Sequence, residues 1–191
     1  GTVVLPIDGR KPFFGTPRTP SIPPENVIPF KNGFTLGVSY YGAGCGTEAQ
    51  IADDFQKLAD LNITGPHRIW VTWKRPNATC TSVDSNGNII ESAFSKIRFA
   101  VKTAWELGMT IDLTFQSSDF SSLTAHKNAV RAVTSALKEY PNWLIDVGNE
   151  AEGDLSSTAV RDLIATVKSV DPTRVATVSF SGAVQSIVDN Y

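Results

Sequence analysis

Five apolar runs begin near residues 34, 69, 110, 143 and 174, so successive starts lie 35, 41, 33 and 31 residues apart. That spacing is the pitch of a strand followed by its crossover helix, and it predicts an α/β chain with a parallel sheet. The predicted strands are Phe34 to Val38, Ile69 to Thr72, Thr110 to Phe115, Trp143 to Val147 and Val175 to Ser179. Between them, apolar residues recur at helical spacing: Ile51, Phe55, Leu58 and Ala59; Phe94, Ile97, Val101 and Ala104; Val130, Val133, Leu137 and Tyr140; Val160, Leu163, Val167 and Val170. Each set marks one buried helix face. Thr47 with Gln50 three residues on reads as a capping box, Gly108 as a left-handed stop, and Pro141 and Pro172 as terminators. Alternation of this kind does not by itself separate a closed barrel from an open sheet.

Residues 1–33 stand apart because they hold seven of the eleven prolines. Such density forbids a helix or a central strand. An extended strap is expected there, with a small hairpin through Asp8-Gly9. The partition is thus 1–33 as a strap and 34–191 as the α/β body, with a further helical segment from Ala183. A net charge of -2 offers no electrostatic footing for nucleic acid or an anionic membrane surface. Cys45 and Cys80 lack the spacing of a metal or redox motif. With Gly1 in place of a starting Met and two Asn-x-Thr acceptors at Asn62 and Asn77, they suggest an exported protein in which they form a disulfide. Reduced thiols are the alternative.

In α/β folds, ligands meet the carboxyl ends of the strands. The fourth run, Trp143-Leu144-Ile145-Asp146-Val147-Gly148, ends there in Asn149-Glu150, a carboxylate beside an amide. Tyr40, Tyr41, Trp73, Phe115 and Phe120 also fall just after strands. As a cluster they suit the C–H face of a pyranose, although any one of them is equally at home packed under a loop. His67 reads as a core or rim histidine, since no Ser or Cys partner lies near it in the pattern. No metal or cofactor is implied by these residues. A competing pattern is Gly42-Ala43-Gly44-Cys45-Gly46, where a dinucleotide-binding fingerprint would stand, with Lys74 and Arg75 to meet the 2′-phosphate of NADP. Its glycine spacing departs from the fingerprint, and it leaves Asn149-Glu150 unused.

Arg68-Ile69-Trp70-Val71-Thr72-Trp73 on the second run resembles the Arg-Ile-x-Val-x-Trp stretch on strand two of the retaining (β/α)8 glycoside hydrolases, and Gly148-Asn149-Glu150 resembles the Asn-Glu end of their strand four. The resemblance covers residues 34 to about 180. It implies a TIM-barrel fold, truncated to about five β/α units, and hydrolysis of O-glycosyl bonds in an oligo- or polysaccharide. Glu150 would be the general acid/base, Asn149 would bond the sugar 2-hydroxyl, and Arg68 would orient the nucleophilic carboxylate. For Arg68, a buried ion pair at the barrel core, with Asp112 or Asp146, is the alternative.

The chain departs from that pattern in two places. Leu113-Thr114-Phe115-Gln116 stands where many relatives place a histidine, and no seventh strand is present to carry the nucleophile. Asp119 lies in the third loop and Glu152 just beyond Glu150; neither is a strong substitute. A five-unit body exposes two sheet edges, so pairing with a second copy or with a missing C-terminal half is expected. A non-catalytic carbohydrate-binding fragment would share every feature except turnover.

Overall fold

The computed structural model describes residues 36–41, 43–75 and 78–182, with backbone only at 74, 75, 78 and 79. The proline-rich strap, the start of the first predicted strand, Gly42, Asn77 and the segment from Ala183 lie outside the described residues. In chain order the elements are β1 (Ser39–Tyr40), α1 (Glu48–Asp60), β2 (His67–Trp70), β3 (Lys74–Arg75), β4 (Ala78–Thr79), α2 (Glu91–Glu106), β5 (Ile111–Thr114), α3 (Leu123–Ala136), β6 (Trp143–Asp146), α4 (Ser157–Val170) and β7 (Ala176–Thr177).

One sheet runs β1-β2-β5-β6-β7, and every neighbouring pair in it is parallel. Strand order therefore follows chain order. A doubly wound dinucleotide fold reverses its strand order and binds at the reversal; this sheet has no such switch point, so the NADP reading loses its architecture. Each link between sheet strands is a crossover of the same kind, which stacks all four helices on one face. That is the arrangement of a barrel segment. The long loop predicted after the second strand also holds a two-stranded antiparallel ribbon, β3-β4, with Lys74 opposite Thr79. Of the first predicted strand only residues 36–38 are described, and they precede the observed strand, Ser39–Tyr40.

Local chemistry sets the helix boundaries. Thr47 and Gln50 form the full capping box: the Gln50 amide donates to Thr47 Oγ1, and the Thr47 amide donates to Gln50 Oε1. Ser122 and Ser156 cap α3 and α4 by accepting from Ala125 N and Ala159 N. Gly108, with φ 70°, closes α2: its amide donates to Trp105 O, and the Met109 amide donates to Ala104 O. Asn62, with φ 57°, closes α1 the same way, onto Ala59 O, with Ile63 onto Leu58 O. Asn is the commonest substitute for Gly in that left-handed position.

The core lies between the helices and one face of the sheet. Ile69, Ile111, Leu113, Trp143 and Ile145 from the strands meet Phe55, Phe94, Ile97, Val101, Val130, Val133, Leu163 and Val167 from the helices. Fully burying a side chain of this size contributes roughly 1.5–3 kcal/mol. The entry to β7 is fixed by Arg174, buried with its guanidinium 3.8 Å from the Trp143 ring centroid. It donates to Trp143 O and Tyr140 O and pairs with Asp171.

Candidate active site

Side chains alternate across a strand with period two, so the residues between the core positions point away from the helices. On β2 these are Arg68 and Trp70, on β5 Asp112 and Thr114, and on β6 Leu144 and Asp146. Arg68 stands in register with Asp112. Its Nε donates to Asp112 Oδ2 at 3.0 Å, one terminal nitrogen to Asp146 Oδ2 at 3.1 Å, and the other to Asn149 Oδ1 at 3.3 Å. One guanidinium thus ties three strands together. Of the two roles open to Arg68, its hydrogen-bond partners match the core ion pair, and both aspartates take part.

Asp146 is fully buried and accepts four hydrogen bonds. Oδ1 receives the amides of Gly148 and Ser179, while Oδ2 receives the Ser179 hydroxyl at 2.7 Å and Arg68. Burial raises its pKa to about 6; the Asp112 charge adds to the rise, and the Ser179 hydroxyl, the Gly148 amide and Arg68 oppose it. Burial likewise raises Asp112, against the pull of Arg68 and Thr114.

Arginine has only donors, so the Asn149 amide must face it with Oδ1. That leaves Nδ2 turned toward Gln116 Oε1, 3.4 Å away, with a second proton to give. Gln116 is itself anchored, its backbone amide donating to Thr72 Oγ1 at 2.8 Å. The backbone turns sharply at the next residue. Glu150 has φ 47° and ψ 51°, the left-handed region, which costs a non-glycine residue about 1–2 kcal/mol. The turn is held on both sides, by Ala151 N to Ser179 O at 3.0 Å and Ser179 N to Gly148 O at 3.2 Å. Gly148 is constrained as well: an added Cβ would come within 2.9 Å of both Ser117 Oγ and Leu155 Cδ1. Glu150 is exposed, and among the described residues its carboxylate has no hydrogen-bond or ionic partner.

The five aromatics separate by the side of the sheet or the loop on which they pack. Tyr41 stacks on Trp70 at 5.8 Å and 18°, and Trp73 lies 4.7 Å from Tyr41 and 4.9 Å from Trp70. Tyr41 and Trp73 thus meet as expected, joined by Trp70, which the sequence reading passed over as a strand residue. Its place two residues after Arg68 was the signal. Tyr40 faces the helices instead: its hydroxyl donates to Asp54 at 2.8 Å and its ring lies against Phe55. Burial pushes its phenol pKa upward. Phe115 is completely buried on the same side, following Ile111 and Leu113 at two-residue steps. Tyr40 is turned to the helix side and Phe115 is sealed, so both leave the set of candidate substrate contacts. Phe120 is half-buried and stacks on His126 at 4.3 Å, in the loop after β5.

Cys45 and Cys80 are joined in a disulfide, their Cα atoms 5.1 Å apart. The bridge pins the loop after β1 to the end of the β3-β4 ribbon, beside the Tyr41-Trp70-Trp73 cluster. His67 is a core histidine, completely buried, accepting from Val38 N and set near Ile63 O, with burial lowering its pKa. Among the described residues no three His, Cys, Asp or Glu side chains are placed to hold a metal ion, and no helix is long and apolar enough to cross a membrane.

No family model matches the chain, and no curated protein matches it by sequence. Solved structures do match. A glycoside hydrolase family 5 mannosidase from Rhizomucor miehei superimposes with a TM-score of 0.62 at 11% identity, over 78% of this chain and 51% of its own. A family 5 enzyme, GH5_18 from Streptomyces cattleya, solved with GlcNAc, gives 0.61 at 15% identity, over 76% and 44%. The exo-beta-1,4-mannosidase Op5Man5 from Opitutaceae bacterium strain TAV5 gives 0.59 at 17% identity, over 76% and 32%. The chain spans about a third to a half of the length of these enzymes. With five sequential parallel strands and all helices on one side, its fold is that of five β/α units of the (β/α)8 barrel on which family 5 glycoside hydrolases are built.

Proposed function

We propose that this chain supplies the acid/base half of a glycosidase active site, with Glu150 protonating the glycosidic oxygen and later activating water. The observation that carries the reading is the hub at Arg68. It fixes Asn149 at the end of the fourth barrel strand, next to an exposed and unpaired carboxylate on a strained, doubly anchored turn. Non-glycine residues in the left-handed region gather at functional sites, where the surrounding bonds hold them. Asn149 Nδ2 is positioned to meet a sugar 2-hydroxyl, a contact that tightens as the ring gains oxocarbenium character. Tyr41 and Trp73, backed by the buried Trp70 ring, offer the aromatic surface for a pyranose, and the similar solved structures include mannosidases, one of them bound to mannosyl-fructose.

Hydrolysis needs a second carboxyl group, about 5–5.5 Å from the first for retention. Asp112 and Asp146 are both held by Arg68 and largely buried, so neither is free to attack. The second group is therefore assigned to the β/α units that complete the barrel, in the same polypeptide, a second copy or a partner chain. The open outer edges of β1 and β7, which pair with no other described strand, are where such units would join. The disulfide supports an oxidising, extracytoplasmic setting. In the completed barrel, Glu150→Gln should lower hydrolysis of unactivated β-1,4-mannotriose, cellotriose or xylotriose by roughly 10²–10⁴-fold, with binding little changed. Unchanged turnover of whichever trisaccharide is cut would refute the assignment. Sugar binding with no turnover in the wild-type barrel would identify a non-catalytic module.

A further inference from the structure

Glu152 is the second acid of the turn after β6, two residues beyond Glu150. Unlike Glu150, it is engaged. Its Oε1 accepts from the amide and from the hydroxyl of Ser181, each at 2.6 Å and 29 residues away along the chain. A hydroxyl bonded to a carboxylate at that length is charge-assisted and roughly twice as strong as a neutral pair. Gly182 packs against the same oxygen, since a Cβ added there would lie 3.5 Å from it. These contacts hold the Glu152 carboxyl below its usual range, the Ser181 hydroxyl contributing most, so the anion and its bonds persist into mildly acidic solution.

Ser181 belongs to the loop that follows β7, and that loop holds the backbone on both sides of Glu150. Ser179 N donates to Gly148 O, and Ala151 N donates to Ser179 O. The left-handed residue between them keeps its conformation only while these bonds hold it. Ser179 is tied from beneath by Asp146, and Ser181, two residues on, is tied by Glu152. Ala151 is completely buried, and its carbonyl takes the amides of Asp154 and Leu155, so the turn is stiff from Glu150 onward. Glu152 therefore clamps a stiff turn to the loop that holds its strained residue. Glu152 and Ser181 are both exposed, so removing either side chain leaves no cavity and no buried group without a partner.

We propose that Glu152 is a positioning residue for the acid/base: by clamping the β7 loop onto the turn, it sets where the Glu150 carboxyl stands when a glycosidic oxygen must be protonated. The inference rests on the glycosidase reading. In the completed barrel, kcat/KM reports the first chemical step, which needs a proton for a sugar leaving group and none for 2,4-dinitrophenolate. Glu152→Ala should lower kcat/KM by roughly 3–10-fold on whichever of β-1,4-mannotriose, cellotriose and xylotriose is cut. On the matching 2,4-dinitrophenyl glycoside the loss should stay below about twofold. Glu152→Gln keeps an acceptor oxygen for Ser181 and should stay within about twofold of wild type on both substrates. Adding Ser181→Ala to Glu152→Ala should cost nothing further, because the pair is already broken. Equal losses on the two substrates would mark a general loosening of the fold and overturn the inference. No loss on either, or a loss in Glu152→Gln as large as in Glu152→Ala, would overturn it as well. Glu150→Gln measured alongside separates the two readings: a collapse confined to the trisaccharide keeps the glycosidase assignment whatever Glu152 does, and an undiminished rate removes both.

Discussion

Replacing Arg68 by Met removes the one cation shared by two buried carboxylates. Asp112 and Asp146 have side-chain exposures of only 12% and 0%, and Arg68 of 28%, so solvent screens the cluster little. Breaking a buried pair by deleting one partner costs about 3–5 kcal/mol, and the partial exposure of Arg68 places the expected loss near ~3 kcal/mol at pH 8. The loss should depend on pH. Asp146 titrates at about 6 in the folded protein against 3.8 for an unperturbed aspartate, so the native state holds a proton that the unfolded chain has released. Without Arg68 both aspartates rise further, and at pH 5 Asp146 is protonated, so the pair needs its cation less. Urea unfolding should therefore give a loss of ~3 kcal/mol at pH 8 that shrinks to ~1 kcal/mol at pH 5. An equal loss at both pH values would refute the hub.

The same linkage fixes the sign for the wild-type protein: because the folded pKa of Asp146 is raised, its contribution is complete below pH 3.8 and lost as pH rises through about 6, a span of ~3 kcal/mol. Asp146→Asn should flatten that slope in urea titrations. The disulfide closes a loop of 35 residues, and replacing both cysteines by Ala should lower stability by ~4 kcal/mol on the chain-entropy estimate, readable by thermal unfolding with and without reductant. Tyr41→Ala should weaken sugar binding several-fold, as read by tryptophan fluorescence, with little change in Tm; Tyr40→Ala should do the reverse. At the end of α1, Asn62→Gly should be neutral or stabilising and Asn62→Val destabilising by ~1 kcal/mol, since only the former relieves the left-handed backbone.

The strand and helix order was legible because burial on one helix face and strand spacing are local signals. All four helices formed, although α3 stops at Ala136, short of the predicted Leu137 and Tyr140 and of Pro141, and Thr47, Gly108 and Pro172 marked boundaries through backbone chemistry that needs no tertiary context. Barrel against open sheet was not legible from alternation, because strand order is a property of tertiary packing. The motif on the second strand carried it. Strand positions put Arg68, Asn149 and Glu150 forward as candidates, and the structure brings Arg68 and Asn149 into contact, whereas Tyr40 and Phe115 were misplaced by treating every aromatic near a strand end as facing the ligand. Counting by twos from Asp112 would have turned Phe115 toward the helices and brought in Gln116, and from Arg68 would have brought in Trp70; Tyr40 takes its side from its pairing with Ile69, which no local pattern gives. Ser179 and Arg174 come from the fifth strand's ends, and nothing local marks a serine as the partner of a buried aspartate 33 residues away.

The role of Glu150 is tested most directly by chemical rescue in the completed barrel. Glu150→Ala should hydrolyse a 2,4-dinitrophenyl glycoside slowly, because a good leaving group needs no proton but the second step still lacks its base. Added azide should restore turnover and yield a glycosyl azide of retained configuration. No acceleration by azide, or an undiminished wild-type rate in its absence, would contradict Glu150 as the acid/base.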